Sequence, residues 1–173
     1  NDLILVSRDI GAHGATIFAA REGMDLETSL KSDCASLYPQ VKALIDSGIK
    51  ITALRDATRG GVSAVLNEWA KQSDICIEID EEKIPICDEV KGICEMLGFE
   101  AMSLANEGTF VLAIPNEDAL KVLEVLQTFE YSKTASIIGK VTQQYEQRVI
   151  LNSQWGTKRF LDVPTGELLP RIC

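Results

Sequence analysis

Apolar and polar residues follow one another in a pattern that predicts strands and helices in alternation. Short apolar runs bounded by turn residues are typical of strands, whereas apolar residues three and four positions apart predict one buried face of a helix. The predicted strands are residues 3–7, 49–56, 75–80, 109–114, 135–141, 147–151 and 158–163. The predicted helices are residues 13–23, 33–47, 61–72 and 88–97, and a fifth runs from Asn116, as its N-cap, to about residue 127. We therefore predict a mixed α/β fold of the α+β type, with helices packed on a mixed sheet.

Two of the predicted strands indicate how the sheet is buried. In "ICIEID" (75–80), Ile75, Ile77 and Ile79 alternate with other residues, as expected for a strand that is buried on one face. The stretch "TFVLAI" (109–114) is apolar almost throughout, which is typical of a strand covered on both faces. We expect the second strand to lie in the middle of the sheet.

Composition and charge exclude several classes of protein. The chain has 173 residues, of which 46% are hydrophobic and 25% charged, so it is long enough to form one globular domain with its own core. Its formal charge of -9 argues against nucleic acid as a partner, because binding to a phosphate backbone needs an excess of lysine and arginine. No apolar run approaches the roughly 18 residues of a membrane span. We expect a cytoplasmic protein that contacts neither nucleic acid nor a membrane.

The cysteines fall into two groups. The chain has five cysteines, no CxxC pair and one histidine, which is a poor set of ligands for zinc, and we expect no metal site. Four of the cysteines stand among apolar neighbours, where a free thiol behaves as a small hydrophobic side chain, so we expect them to be buried. These four are Cys34, Cys76, Cys87 and Cys94. Cys173 differs because it is the last residue.

The segment "DATRGG" is the first candidate for chemistry. Asp56 closes a predicted strand, and Thr58, Arg59, Gly60 and Gly61 lead into a predicted helix. Paired glycines let a backbone approach a ligand closely, and the amides at a helix start bind anions. A guanidinium adds a forked pair of donors suited to phosphate. The alternative is a tight turn in which Arg59 pairs with Asp56 or another carboxylate.

The segment "LANEGTF" is the second candidate. Asn106, Glu107 and Gly108 immediately precede the apolar strand, where a partly desolvated carboxylate can act as a base. The alternative is an ordinary turn with a solvated Glu107. His13 is also a candidate for catalysis, although a lone histidine near a helix start more often caps the helix or donates a hydrogen bond.

The motifs "GAHGATIFAAREG", "LRDATRGGV", "LANEGTFVLAI" and the terminal "PRIC" together resemble the C-terminal domain of the HypE family of hydrogenase maturation proteins. This family belongs to the aminoimidazole ribonucleotide synthetase (PurM) superfamily. The resemblance covers the whole chain in the expected order, and it implies one PurM-like C-terminal domain, residues 1–173, with a flexible tail at about 163–173. Family members carry an N-terminal domain that holds most of the ATP and magnesium ligands, so we expect this chain to begin after that domain and to bind neither by itself.

The resemblance also implies an activity. In this family the terminal cysteine, here Cys173, receives a carbamoyl group from the carbamoyltransferase HypF. The family then uses ATP to dehydrate the S-carboxamide to a thiocyanate, whose cyano group becomes a cyanide ligand of nickel-iron hydrogenase through the HypC–HypD complex. The full-length protein is expected to be a homodimer. Glu107 is then the expected base for dehydration.

Roles for the glycine-rich turn and the tail follow from the same resemblance. Arg59, with the amides of Gly60 and Gly61, would stabilise charge on the phosphoryl group. Asp56 and Thr58 would shape the turn or order a water or metal ligand.

In the tail, Pro170 would stiffen the approach of the chain, Arg171 would contact phosphate oxygens and Ile172 would anchor the inward position of Cys173.

Two alternative functions remain open at this point. The chain could belong to a purine-synthesis-like ATP-dependent enzyme that acts on a free amide, or it could be a non-catalytic docking module. We further predict that the loops around Arg59 and Glu107 open onto one cleft.

Overall fold

The computed structural model describes residues 2–23 and 29–163 of the chain. Seven strands and five α-helices are formed by these residues, numbered here in chain order. The strands β1–β7 are Leu3–Val6, Ala53–Asp56, Cys76–Asp80, Phe110–Ile114, Ser136–Thr142, Arg148–Asn152 and Lys158–Phe160. The helices α1–α5 are Ala12–Arg21, Tyr38–Asp46, Gly61–Gln72, Asp88–Leu97 and Ala119–Gln127. None of these helices is both long and apolar enough to cross a membrane.

The seven strands form one sheet in the order β2-β4-β1-β5-β3-β6-β7. β3 and β6 pair in parallel, whereas the other neighbouring strands pair antiparallel. The prediction of a mixed α/β fold built on a mixed sheet is therefore confirmed.

The core lies on both faces of the sheet. Successive side chains of a strand point to opposite faces, and β1 illustrates this, since Ile4 packs in a cluster with Leu66 of α3 while Leu5 packs in another with Leu44 of α2 and Val122 of α5. All five residues of β4 are buried, as predicted, but β4 lies next to the edge strand β2 and not in the middle of the sheet. A third cluster joins α1 to α4. The sheet is thus covered by helices on both faces.

The start of the second helix was predicted wrongly. The prediction placed it at residue 33, but α2 starts at Tyr38, with Pro39 in its first turn, where the missing N–H of proline costs nothing. Residues 33–37 have no helical structure. Asn116 is also not the N-cap of α5, because it lies in a short 3₁₀ turn, Asn116–Asp118, and caps nothing with its side chain.

The cysteines follow the prediction in part. Cys76 and Cys94 are buried and Cys87 is half-buried. Burial raises the pKa of the Cys94 thiol to about 11 and also raises the pKa of Cys87, so both are poor nucleophiles near neutral pH. The prediction was wrong for Cys34, which is exposed because it stands in the irregular segment before α2 instead of in a helix.

Candidate functional site

Three loops meet at one end of the sheet. β1 and β2 flank β4 and both run antiparallel to it, with Val6 opposite Val111 and Asp56 opposite Phe110. The residues that follow β1 and β2 therefore lie beside the residues that precede β4. The sheet order thus brings "DATRGG" and "LANEGTF" together although the two segments are far apart in sequence.

Asn106 ties these loops to one another. Its side chain is fully buried, and its Oδ1 accepts a hydrogen bond from the N–H of Gly11, after β1, at 2.7 Å. Its Nδ2 donates to the carbonyl oxygens of Ala57, after β2, and of Leu104, each at 3.0 Å. Both amide hydrogens and the amide oxygen are thus engaged within the protein. Asn106 therefore connects the loops of the site. The turn-like composition of "LANEGTF" did not indicate this structural role.

A second anchor comes from residues 32–35, which we call the strap. Asp33 is buried, with 3% of its surface exposed. Its Oδ1 accepts from the N–H of Glu107 at 3.0 Å, and its Oδ2 accepts from the N–H of Gly108 at 3.0 Å and from the hydroxyl of Thr109 at 2.9 Å. The N–H of Ala35 donates to the carbonyl oxygen of Glu107 at 3.4 Å. The strap therefore holds the backbone on both sides of Glu107.

Sequence reasoning missed Asp33 because the residue was placed at the start of a predicted helix. One signal was available, since short acidic side chains next to serine often bind backbone amides outside helices. The sequence did not indicate which amides, because the partners of Asp33 lie 74 to 76 positions further along the chain.

The strap and the loop touch at Gly108, and this contact allows a stability prediction. A Cβ atom at Gly108 would lie 1.8 Å from the carbonyl oxygen of Asp33, so Gly108→Ala should force the two segments apart. We expect it to lower the free energy of unfolding by about 1–3 kcal/mol, the usual cost of overpacking. Gly92→Ala is the matched control, because Gly92 lies inside α4 with open space around it, and alanine there should stabilise the helix by up to about 1 kcal/mol.

Denaturant unfolding of the two variants and the parent measures both effects. Equal midpoints for Gly108→Ala and the parent would mean that the strap is not tightly packed against the loop.

Glu107 itself is half-buried. Its backbone is fixed by the strap, but its carboxylate has no hydrogen-bond or ion-pair partner in the part of the chain that the structure describes. A carboxylate held by its backbone and left without a protein partner is available to a ligand or a reacting group. The prediction that Glu107 and Arg59 face one cleft stays a prediction, although their loops are neighbours.

The glycine-rich turn precedes α3. Gly60 and Gly61 have φ angles of +71° and +62°, which favour glycine. A Cβ atom at Gly61 would lie 2.4 Å from the carbonyl oxygen of Leu104, so the close approach at this glycine is made by the chain itself. The hydroxyl of Thr58 donates to Oδ2 of Asp56 at 2.8 Å, which shapes the turn.

Arg59 stands at the exposed tip of this turn. The pairing of Arg59 with Asp56 or another carboxylate is not found among residues 2–23 and 29–163. Its guanidinium is therefore open to an anionic ligand beside the first turn of α3, a helix of 12 residues without a side-chain cap.

His13 contacts the strap. It is the second residue of α1, whose N-cap is Gly11, and its Nδ1 lies 2.9 Å from the hydroxyl oxygen of Ser32. The same oxygen accepts from the N–H of Cys34 at 3.2 Å. His13 thus makes a hydrogen bond within the protein instead of capping a helix, and it brings the strap against α1.

The described residues supply only part of what a metal or nucleotide site needs. No three His, Cys, Asp or Glu side chains within 2–23 and 29–163 are grouped so that they could hold a metal ion, so this part of the chain does not fit magnesium. Arg59 fits one phosphoryl group by its charge and exposure. Pro170, Arg171, Ile172 and Cys173 lie outside the described residues.

Comparisons with known proteins find relatives that match nearly the whole chain. The family model "AIR synthase related protein, C-terminal domain" matches residues 1–152. A putative hydrogenase expression/formation protein of Methanocaldococcus jannaschii is 44% identical over 172 residues, which are 99% of this chain and 51% of the relative. The carbamoyl dehydratase HypE of Escherichia coli is 45% identical over 173 residues, 99% of this chain and 50% of that protein. The chain spans about half the length of the curated relatives it matches.

Solved structures of HypE proteins are similar to nearly the whole of this chain. A crystal structure of the hydrogenase maturation protein HypE in complex with ATP has a TM-score of 0.93 and 34% identity, over 99% of this chain and 52% of that one. A HypE–HypF complex has a TM-score of 0.89 and 41% identity, over 94% of this chain and 53% of that one. The fold is shared with these proteins.

Proposed function

Because the chain belongs to the AIR synthase related protein family, as its C-terminal domain, we propose that it is the C-terminal half of a hydrogenase maturation enzyme. This enzyme carries a carbamoyl group on Cys173 and dehydrates it, with ATP, to a thiocyanate that supplies the cyanide ligands of nickel-iron hydrogenase. The observation that carries the proposal is the Glu107 carboxylate, fixed by its backbone, without a protein partner in the described residues, and next to the turn of Arg59. The relatives named carbamoyl dehydratase support it.

The proposed reaction makes two demands on the protein. An amide oxygen is a poor leaving group, and ATP supplies the phosphoryl group that turns it into phosphate. The carboxamide nitrogen must lose its protons as the carbon–oxygen bond breaks, so that S-carboxamide and ATP give thiocyanate, ADP, phosphate and a proton. The protein must therefore provide a base near the nitrogen and positive charge near the oxygen.

Glu107 is the proposed base. No described residue pairs with its carboxylate, and the strap gives its backbone one position, so the proton acceptor is attached at a fixed point of the chain at the end of the sheet. Arg59 is the proposed source of positive charge on the leaving oxygen, because no described residue neutralises it. Asp56 and Thr58 hold the turn in shape for Arg59.

The proposed enzyme works with two partners and contains a second domain. The tail of Pro170, Arg171 and Ile172 brings Cys173 to a carbamoyltransferase of the HypF type for loading and to this site for dehydration. A HypC–HypD complex then receives the cyano group. The whole enzyme is a cytoplasmic homodimer whose other domain provides most of the ATP and magnesium ligands. The HypE–HypF complex of relatives at 41% identity supports the first of these partners.

Mapping of the adduct tests the proposal. The two-domain protein would be incubated with its carbamoyltransferase and carbamoyl phosphate, and the peptides analysed by mass spectrometry before and after addition of ATP. We expect one carbamoyl group on the C-terminal peptide and the loss of one water from it after ATP. Cys34 is the decisive comparison, because it is an exposed thiol. A carbamoyl group on the Cys34 peptide in place of the C-terminal one would contradict the carrier role of Cys173.

Binding of ATP gives a second prediction. The described residues contain no group of acidic side chains that fits magnesium. Enzymes that transfer the phosphoryl group of ATP bind it through a metal as well as through arginine or lysine. We expect calorimetry of these 173 residues with magnesium and ATP to give no saturable heat. The two-domain protein should give a saturable titration under the same conditions. Tight, stoichiometric binding by the 173-residue chain would place the nucleotide site within it.

A further inference from the structure

We infer that Asp33 is a positioning residue for the proposed base, and that the strap sets the direction in which the Glu107 side chain leaves the backbone. This inference rests on the proposed function and extends it to a residue that contacts no reacting atom.

Three hydrogen bonds from the strap act on the two peptide units around Glu107. Oδ1 of Asp33 accepts from the N–H of Glu107, and Oδ2 accepts from the N–H of Gly108, each at 3.0 Å. The N–H of Ala35 donates to the carbonyl oxygen of Glu107 at 3.4 Å. Because the peptide units before and after a residue determine its φ and ψ angles, these contacts determine where its Cβ points.

No other described contact determines the position of this carboxylate. It has no hydrogen-bond or ion-pair partner in residues 2–23 and 29–163, so its direction depends on the backbone and on its own rotamer. A shift of the loop would therefore move the proton acceptor directly. Misplacement of a catalytic group by about 1 Å can lower a rate by about 100-fold.

The strap is itself held in place. Thr109, which is fully buried, donates from its hydroxyl to Oδ2 of Asp33 at 2.9 Å, and His13 contacts Ser32 at 2.9 Å. Hydrogen bonds to a charged acceptor are stronger than those between neutral groups, and Asp33 is 3% exposed, so water competes little for its oxygens. The carboxylate of Asp33 thus links the strap to the loop of Glu107, and Ser32 links the strap to α1.

Asp33→Asn tests this link. Both oxygens of Asp33 accept hydrogen bonds, so the amide nitrogen of asparagine, at either position, would face an N–H or O–H donor and lose that hydrogen bond. In the two-domain protein we expect single-turnover dehydration of the loaded carbamoyl group to fall about 10- to 100-fold. Carbamoyl loading and the KM for ATP should stay at the parent's values. Asp46→Asn, on the exposed face of α2, is the matched control and should leave all three measurements unchanged.

Thr109 provides a second route if Asp33→Asn fails to fold. Thr109→Val removes one hydrogen bond to Asp33 at nearly constant volume, and it should slow dehydration several-fold. Thr109→Ser keeps the hydroxyl and should restore most of the rate. Equal rates for the valine and serine variants would overturn the inference.

A double variant separates positioning from general damage to the structure. If Asp33 acts through Glu107, then Asp33→Asn should cost less than about twofold in a Glu107→Gln background, because the base is already lost. The same 10- to 100-fold loss in both backgrounds would assign Asp33 a merely structural role. If Glu107→Gln slows dehydration and Asp33→Asn does not, the inference fails while the proposed function stands. If the parent itself forms no thiocyanate, both fail.

Discussion

Replacement of Cys173 with alanine should abolish formation of the thiocyanate and delivery of cyanide to hydrogenase. The sulfur is the atom that carries the carbamoyl group in the proposed reaction, and no other side chain can replace a missing nucleophile at the end of the chain. We expect this complete loss in the two-domain protein with its carbamoyltransferase present. Hydrogenase activity in cells and mass spectrometry of the C-terminal peptide measure it independently.

The control for this experiment is Cys34→Ala, because Cys34 is an exposed thiol in the strap. This variant should keep its carbamoyl loading and its hydrogenase maturation. An enzyme acting on a free amide would tolerate the loss of Cys173, so maturation by the Cys173→Ala variant at the parent's level would favour that alternative. A single alanine added after Cys173 keeps the thiol but moves it off the terminus, and it should reduce delivery by hindering the inward position.

Glu107→Gln should slow dehydration by about 10²- to 10⁴-fold, the range found when a general base is removed. Glutamine keeps the size of the side chain and most of its hydrogen-bonding capacity, but it cannot accept the proton from the carboxamide nitrogen. The backbone contacts of residue 107 with the strap involve only main-chain atoms of Glu107, so they should survive the change. Single-turnover kinetics of the loaded protein after addition of ATP give the rate.

Carbamoyl loading should be unaffected in this variant, because the sulfur and the tail are unchanged. Glu117→Gln is a suitable control, since Glu117 is an exposed residue in the 3₁₀ turn before α5, and its rate should equal that of the parent. An unchanged dehydration rate in Glu107→Gln would make Glu107 an ordinary turn residue.

Local sequence patterns predicted the regular elements but not the geometry of the site. The burial of β4 followed from its continuous run of apolar residues, which reports burial directly. The meeting of the loops around Asn106 and Arg59 depends on β4 lying between β1 and β2, and strand order is a property of the whole chain. The sequence thus predicted which segments carry chemistry, and the order of the strands makes these segments neighbours.

The strap was the main element that sequence reasoning could not find. A periodic pattern extended the second helix back to residue 33, whereas the side chains of Ser32 and Asp33 form hydrogen bonds with distant partners instead. Such partners, which lie 74 positions away in the case of Glu107, leave no local signature. The same cause explains the wrong prediction for Cys34, which points away from the core once the helix is absent.

The position of β1 near the middle of the sheet has a consequence for the order of events during synthesis. β1 is the first strand of the chain, but its two neighbours, β4 and β5, are formed by residues 110–114 and 136–142. The N–H of Gly11 likewise donates to Oδ1 of Asn106, which lies 95 positions later in the chain. Contacts of such long range form late and slow the folding of a chain. On the ribosome, therefore, β1 must remain without its partner strands until most of this chain has emerged. The loops of the site come together only when β1 has paired with its neighbours in the sheet.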